Sequence, residues 1–411
     1  MKPHERLLAA LVLALAATPA CAQFPAALTL QEALRIAAAS PRVTASERDA
    51  DSARAEREVA AALPNPSLSL GYGRPSGGER TIFDANSQQL ATVELPIPVF
   101  GQRGARVRAA EQQLGRAESQ LRLTVSETKR LAALAFVRLL GAQEQLAARS
   151  AARREVERIG TLAAGRLQSG VASRYDKARA DAELALVGLA VQRAQTELRD
   201  QSAALAGLLA APADWQPRAE GSLQALQGTL DSSTTPGLPD SSPAARLAHD
   251  ETASAAARID LAQRERYPVP SLSVGRTWTQ GPFGAANFVG LSSEIPILDT
   301  RRAQVDRAQS EAASARERER GILASLQAEH QRHRDALRLR RDALARFDRE
   351  VFERQAAFLE MAESAYRLGR GSMFELLDAH RTQLEAATAR IELLGGIVES
   401  ELELRALAGT L

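Results

Sequence analysis

"PNPSLSLGYG" at residues 64–73 returns about two hundred residues later as "PVPSLSVGRT" at residues 268–277. In both copies apolar residues mostly alternate with Ser, Gly or Thr, which is typical of a strand with one apolar face and one small, polar face. The sequence around both copies is rich in Ala, Arg and Glu, which favours helix. The 411-residue chain therefore combines a mainly helical sequence with two copies of one short strand.

A second strand is predicted after each copy. "QQLATVEL" at residues 88–95 and "NFVGLSSEI" at residues 287–295 follow Gly- and Pro-containing loops, so each half predicts a hairpin. Such strands suit a membrane β-barrel, but a bacterial barrel needs at least about eight of them and tolerates no open edge in lipid. Four strands per chain therefore predict a barrel shared between copies. The alternative is two hairpins packed on a soluble helical body.

The chain as a whole reads as a tandem duplication. Three further segments of the first half recur in the same order in the second: "SPRVTASERD" (40–49) with "SPAARLAHDE" (242–251), "RGARVRAA" (103–110) with "RRAQVDRA" (301–308), and "LQSGVASRYDKARA" (167–180) with "YRLGRGSMFELLDA" (366–379). This predicts one helix–strand–strand–helix–helix unit at residues 23–210 and another at residues 241–411. The connector between them, residues 211–240, is rich in Pro, Gly, Ser and Asp. The helix that starts near Arg103 should run for about 55 residues, or ~80 Å.

The first residues have the pattern of a secretory signal. A basic start and an apolar run precede small residues at Ala20 and Ala22, which predicts a signal peptide at residues 1–22 and a mature chain from Gln23. Lipidation of Cys21, the only cysteine, is the alternative. A net charge of +2 with 25% charged residues does not indicate nucleic-acid binding, and no later apolar run suits a transmembrane helix.

Residues that could serve in catalysis or metal binding are scattered along the sequence. The sequence has no G-x-S-x-G motif, no P-loop and no Cys/His cluster, so neither catalysis nor a bound cofactor is expected. His330 and His333 have a spacing that can bind a metal, but their Arg-rich surroundings favour a solvated helix face. His249 and His380 stand alone in the sequence. We therefore expect no metal site and no enzyme.

The order of these motifs resembles one family. From "SP" at residues 40–41, through "LPNPSLSL" at residues 63–70, to the closing "ALAGTL" at residues 406–411, the chain is similar to the TolC-like outer-membrane factors. Those proteins are the exit ducts of tripartite efflux pumps and type I secretion systems. "LPNPSLSL" and "VFGQRGAR" at residues 99–106 look most like the cobalt–zinc–cadmium resistance branch.

The resemblance implies a fold and a function. It implies a homotrimer in which three chains of four strands form a twelve-stranded barrel in the outer membrane, continued by a twelve-helix α-barrel in the periplasm. The trimer would passively conduct metal cations or small toxic compounds outward. Its partners would be outer-membrane lipid, a periplasmic adaptor protein and an inner-membrane RND-type pump. Protein export, as in type I secretion, remains an alternative cargo.

Two turns between long helices carry the residues to which the resemblance gives roles. The residues implied to contact the adaptor are Ser169, Gly170, Val171, Leu368, Gly369 and Arg370. Those implied to form the pore constriction and its gate are Asp176, Tyr366, Glu375 and Asp378. Glu375 and Asp378 are three apart on one helix face, so threefold symmetry would give a ring of six carboxylates that attracts cations. The gate arginine of the family falls on Gly371 here, so the resemblance does not say which residues would form the remaining bonds of the gate.

Simpler interpretations stand beside these. The two turns fit ordinary helix hairpins, and an acidic residue at a helix start is favoured by the helix dipole alone. A periplasmic adaptor is also exported and rich in coiled coil, but it would have one hairpin flanked by compact β-domains. A structural coiled-coil protein would need no strands. The duplicated strand-bearing unit therefore favours the duct.

Overall fold

A computed structural model of the protein describes residues 24–73, 87–170, 172–212, 214–231, 242–279 and 284–411. The predicted signal segment at residues 1–22, with Cys21, and the predicted mature start at Gln23 lie outside the described residues. Val171, one of the predicted adaptor-contacting residues, also lies outside them. Among the helices of the described residues, none has an apolar stretch long enough to cross a membrane.

The two halves of the chain have the same order of main elements. The first half contains β1 (Ala27–Leu28), α1 (Leu30–Ala38), α2 (Pro41–Ala61), β2 (Ser67–Gly73), β3 (Gln88–Pro96), α3 (Gln102–Gln168) and α4 (Arg174–Leu208). Between the halves lie β4 (Arg218–Ala219) and α5 (Leu223–Asp231). The second half contains α6 (Pro243–Glu265), β5 (Ser271–Thr279), β6 (Ala285–Ser292), α7 (Arg302–Phe347), α8 (Glu353–Arg367) and α9 (Met373–Ala408). The predicted mainly helical fold with a small β portion is thus confirmed.

The long helices set the dimensions of the molecule. α3 has 67 residues and is about 100 Å long, which exceeds the predicted length because the helix continues past Gly160 and Gly165 to Gln168. Its counterpart in the second half is interrupted by a π-helical turn, Asp348–Phe352, which separates α7 from α8. Arg390 holds this turn, because its Nε donates to an Asp348 carboxylate oxygen at 2.9 Å. Side-chain periodicity gave no sign of this break.

The four main strands form one antiparallel sheet in the order β2-β3-β5-β6. The hairpins of the two halves are joined through β3 and β5, where Val93 lies opposite Val274. β6 ends at Ser292, short of the predicted 295, because Ser292 pairs with Ser271 at the start of β5 and no partner strand extends further. Within the described residues β2 and β6 each have one free edge, so a single chain forms an open sheet.

The sheet has the two different faces that the alternation predicts. One face carries a row of apolar residues across all four strands: Leu68, Val93, Val274 and Val289. Their exposed fractions lie between 46% and 74%, so this face does not pack on the helices. This exposure argues against hairpins that pack on the helical body through this face. The other face carries mostly Ser, Gly and Thr.

The principal core lies where the middle of α3 meets α1, α4, α5 and α9. Its largest fully buried side chains include Leu28, Phe136, Leu139, Leu205, Leu223 and Leu402. Part of the predicted connector belongs to this core. The Trp215 indole donates to the Pro25 carbonyl at 3.0 Å, and β4 pairs with β1 in parallel. The connector thus includes ordered structure as well as Pro- and Gly-rich sequence.

Candidate functional site at the helix-hairpin tips

Two helix turns lie side by side at one end of the molecule, one in each half. The α3–α4 turn passes through Gly170, whose φ is +75°, and the α8–α9 turn passes through Gly369, whose φ is +69°. Both values are in the left-handed region that glycine adopts without a Cβ penalty. The prediction of glycine-dependent chain reversals at these positions is confirmed.

The helix that follows each turn begins with a capping box. The Ser173 hydroxyl accepts from the Asp176 N–H at 3.1 Å, and the Asp176 carboxylate accepts from the Ser173 N–H at 3.0 Å. In the second half the Ser372 hydroxyl accepts from the Glu375 N–H at 3.2 Å, and the Glu375 carboxylate accepts from the Ser372 N–H at 2.9 Å. Each pair satisfies two of the N–H groups that a helix start leaves unbonded. Asp176 and Glu375 therefore have a local structural role.

The implied gate bond between Asp176 and Tyr366 is not among the hydrogen bonds of the described residues. The Asp176 carboxylate is engaged by Ser173, and the Tyr366 hydroxyl is buried and has no hydrogen-bond partner in the described part of the chain. Arg166 on α3 contacts Tyr366 instead. Its guanidinium donates to the Tyr366 carbonyl at 2.8 Å and lies 4.6 Å from the centre of the Tyr366 ring.

Gly371 occupies the position to which the resemblance assigns a gate arginine. A Cβ at this position would lie 3.0 Å from the Ala365 Cβ and 3.2 Å from a Glu375 carboxylate oxygen, so a longer side chain would require these neighbours to move. The guanidinium that contacts Tyr366 comes from Arg166 on the other hairpin. Sequence reasoning missed it because Arg166 and Tyr366 are 200 residues apart.

A small apolar core joins the two hairpins. It is formed by residues of α3, α4, α8 and α9, among them Ile159, Ala180, Val187, Tyr366, Met373 and Leu377. A second cation–aromatic contact lies above it, with the Arg179 guanidinium 4.8 Å from the centre of the Phe374 ring. The four helix ends therefore form one packed unit.

The carboxylates of the predicted ring face solvent in the single chain. Glu375 and Asp378 are exposed on the same side of the first turns of α9. Neither carboxylate forms an ion pair within the described residues. Their placement on one exposed helix face agrees with the spacing argument.

The described residues predicted to contact an adaptor lie at the outer surface of the turns. Leu368 is 70% exposed. The Ser169 hydroxyl donates to the Arg166 carbonyl at 3.0 Å, and the Arg370 N–H donates to the Ala365 carbonyl at 2.9 Å. Among the described residues of these turns, Leu368 therefore presents an apolar side chain to solvent.

The two histidines with metal-type spacing differ in their surroundings. His330 is buried on α7, and His333 lies half-buried beside Arg332, whose guanidinium is 3.1 Å from the His333 ring. Burial lowers the pKa of His333. Within the described residues neither histidine belongs to a group of three potential metal ligands.

Comparison with known proteins shows which family this chain is similar to. Residues 31–211 match the family model described as outer membrane efflux protein. The cobalt-zinc-cadmium resistance protein CzcC of Cupriavidus metallidurans is 23% identical over 90% of this chain and 87% of its own. The nickel-cobalt-cadmium resistance protein NccC of Alcaligenes xylosoxydans xylosoxydans is 25% identical over 72% of this chain and 66% of its own.

The fold is also found among solved structures. Crystal structures of CusC, which describe the formation of a transmembrane channel, superpose with a TM-score of 0.77 at 18% identity. The superposition covers 92% of this chain and 91% of CusC, so it includes most of both halves.

Proposed function

Because the chain belongs to the outer membrane efflux protein family through residues 31–211, we propose that it is the exit channel of a tripartite system that exports metal cations. The protein is located in the outer membrane and extends into the periplasm. The observation that carries the proposal is the four-stranded sheet, with its exposed apolar face, at the end of long helices, of which α3 is about 100 Å long.

The open sheet supports a homotrimer. The free edges of β2 and β6 would leave backbone N–H and C=O groups without partners in lipid, which is too costly to persist. Pairing β6 of one chain with β2 of the next removes both edges. Three chains of four strands then close a barrel of twelve strands, above the minimum of about eight.

The tunnel and its partners follow from the helices. Three copies of the hairpins α3–α4 and α7/α8–α9 would supply twelve long helices for a periplasmic α-barrel. The turns, with Leu368 exposed, would contact a periplasmic adaptor, and the adaptor would connect the channel to an inner-membrane RND-type pump. The pump would supply the energy, so the chain itself would need no catalytic group.

Metal cations are the cargo that we favour. Both relatives are named for resistance to cobalt and cadmium. The name of CzcC also includes zinc, and the name of NccC also includes nickel. A ring of Glu375 and Asp378 from three chains would attract cations to the narrow end of the tunnel. Small toxic organic compounds are the second candidate.

Two measurements test the proposal. The purified protein should migrate as a heat-modifiable trimer and should give discrete single-channel currents in a planar bilayer. Deletion of its gene should lower the concentrations of cobalt, zinc, cadmium or nickel that the cells tolerate, and the wild-type gene should restore them. A water-soluble monomer without currents would overturn the channel. Currents together with sensitivity to organic toxicants alone would overturn the metal cargo.

A further inference from the structure

Three potential metal ligands from three helices meet above the hairpin tips. Glu155 lies on α3, Glu363 on α8 and His380 on α9, so the group joins the two halves of the chain. One ligand atom from each residue lies within 4.8 Å of the other two. In the sequence Glu155 and His380 are more than two hundred positions apart, and no second histidine lies near His380.

His380 is the unusual member of this group. Its side chain is 5% exposed, and its Nε2 is buried without a hydrogen-bond partner in the described part of the chain. The nearest carboxylate oxygen, on Glu363, is 3.6 Å from Nε2, which is too long for a hydrogen bond. Leaving a buried polar nitrogen unbonded normally costs about 1–3 kcal/mol, so such atoms usually have a partner. Here the unbonded nitrogen faces two carboxylates.

A cation already lies between the carboxylates. The Arg158 Nε donates to Glu155 at 2.8 Å, and its Nη2 donates to Glu363 at 3.0 Å. Glu155, followed by Glu363, raises the pKa of Arg158 against the effect of burial. The Arg158 side chain is 49% exposed, so it can turn out to solvent without crossing the core. Another cation can therefore replace it.

We propose that Glu155, Glu363 and His380 bind a divalent transition-metal ion such as zinc, cobalt or nickel. One imidazole and two carboxylates are ligands that such ions accept, whereas magnesium and calcium prefer oxygen alone. Two carboxylates would neutralise the charge of the ion, and water would complete the coordination. Tetrahedral bonds of about 2.1 Å place ligand atoms about 3.4 Å apart, which small rotations of the partly exposed glutamates would reach.

The position of the site gives it a structural consequence. Bound metal would tie α3 of the first half to α8 and α9 of the second, within a few turns of Gly170 and Gly369. Bound metal would hold the two hairpins together, and the occupancy of the site would depend on the metal concentration of the periplasm. The binding itself does not depend on the proposed channel function, because all three ligands come from one chain.

Calorimetric titration of the purified full-length protein with zinc chloride tests the site. We expect one zinc ion per chain, and cobalt should give the visible absorption bands of a low-symmetry nitrogen and oxygen site. His380→Ala and Glu363→Gln should each weaken zinc binding at least tenfold. Arg158→Gln should strengthen it severalfold, because the competing cation is removed. His249→Ala is the matched control, since His249 is exposed and faces the single carboxylate of Glu319 at 3.4 Å.

Several results would overturn the proposal. These are no zinc binding to the wild type, unchanged binding in both ligand variants, or an equal loss in His249→Ala. Because His380 is buried, circular dichroism should confirm that His380→Ala folds. If it does not, Glu155→Gln and Glu363→Gln decide the question, since both side chains are partly exposed. Currents without zinc binding would overturn the site alone, and zinc binding without currents would overturn the channel alone.

Discussion

The ring of Phe288 lies against Gly275 on the neighbouring strand, on the face of the sheet that carries small residues. A Cβ at Gly275 would be 2.6 Å from the ring Cε1 and 2.8 Å from the Ala91 carbonyl oxygen. Gly71 is the equivalent glycine of the first half, and a Cβ there would make an ordinary contact of 3.6 Å with Leu90. The duplicated strand therefore keeps a glycine in both copies, but only the second copy requires it for packing.

This difference predicts unequal effects of the same substitution. Gly275→Ala should destabilise the sheet by about 1–3 kcal/mol, because the ring and the β3 backbone must both move. Gly71→Ala should have little effect. The measurement is the amount of heat-modifiable trimer in outer-membrane fractions, with total protein as reference. Equal yields of the two variants would show that the sheet absorbs the added methyl group and would refute the steric argument.

Arg166 should hold the hairpin tips together. Arg166→Ala removes a hydrogen bond to the Tyr366 carbonyl and a cation–aromatic contact, which together contribute about 1–3 kcal/mol. We expect the variant to open more often in planar bilayers, with at least a severalfold higher open fraction. Arg370→Ala is the control, because Arg370 is exposed at the same pair of turns and no adaptor is present in the bilayer. An unchanged open fraction in Arg166→Ala would remove this residue from the gate.

The effect of the charges on Glu375 and Asp378 can be tested separately from the capping of α9 by Glu375. Glu375→Gln combined with Asp378→Asn removes both charges, while Gln at position 375 can still accept from the Ser372 N–H. This variant should lose block by divalent cations and cation preference. Ser372→Ala keeps both charges and weakens the cap by about 1 kcal/mol, so it should retain block. If Ser372→Ala loses block and the charge variant keeps it, turn geometry controls the pore.

Much of this fold could be predicted from local sequence, because its elements have strong local signals. The start of α2 at Pro41, strands β2 and β5, and the turn glycines Gly170 and Gly369 all lie where residue type and spacing place them. The features that could not be predicted depend on distant contacts. Local periodicity does not indicate the π-helical turn held by Arg390, and it does not place Arg166 beside Tyr366.

The site illustrates the same limit. An acidic residue at a helix start is favoured by the helix dipole, and in both halves this residue also forms a capping box with the serine three positions before it. Residue spacing places Glu375 and Asp378 on one exposed face. The approach of His380 to Glu155 has no local signal, because it follows from how the hairpins of the two halves pack. Residue spacing along one helix cannot report a group that three helices form together.

The α8–α9 turn should be needed for pump assembly and not for membrane insertion. Gly369 has a φ of +69°, and a Cβ added there would meet no neighbouring atom within 4 Å, so a substitution acts through backbone strain. Gly369→Val should distort the turn and displace Leu368, because a β-branched residue avoids the left-handed region. We expect at least a tenfold loss of adaptor co-purification and of metal resistance, with normal trimer in the outer membrane. Gly369→Asn is the control, since Asn tolerates this conformation. Normal resistance in Gly369→Val would show that the adaptor does not contact this turn.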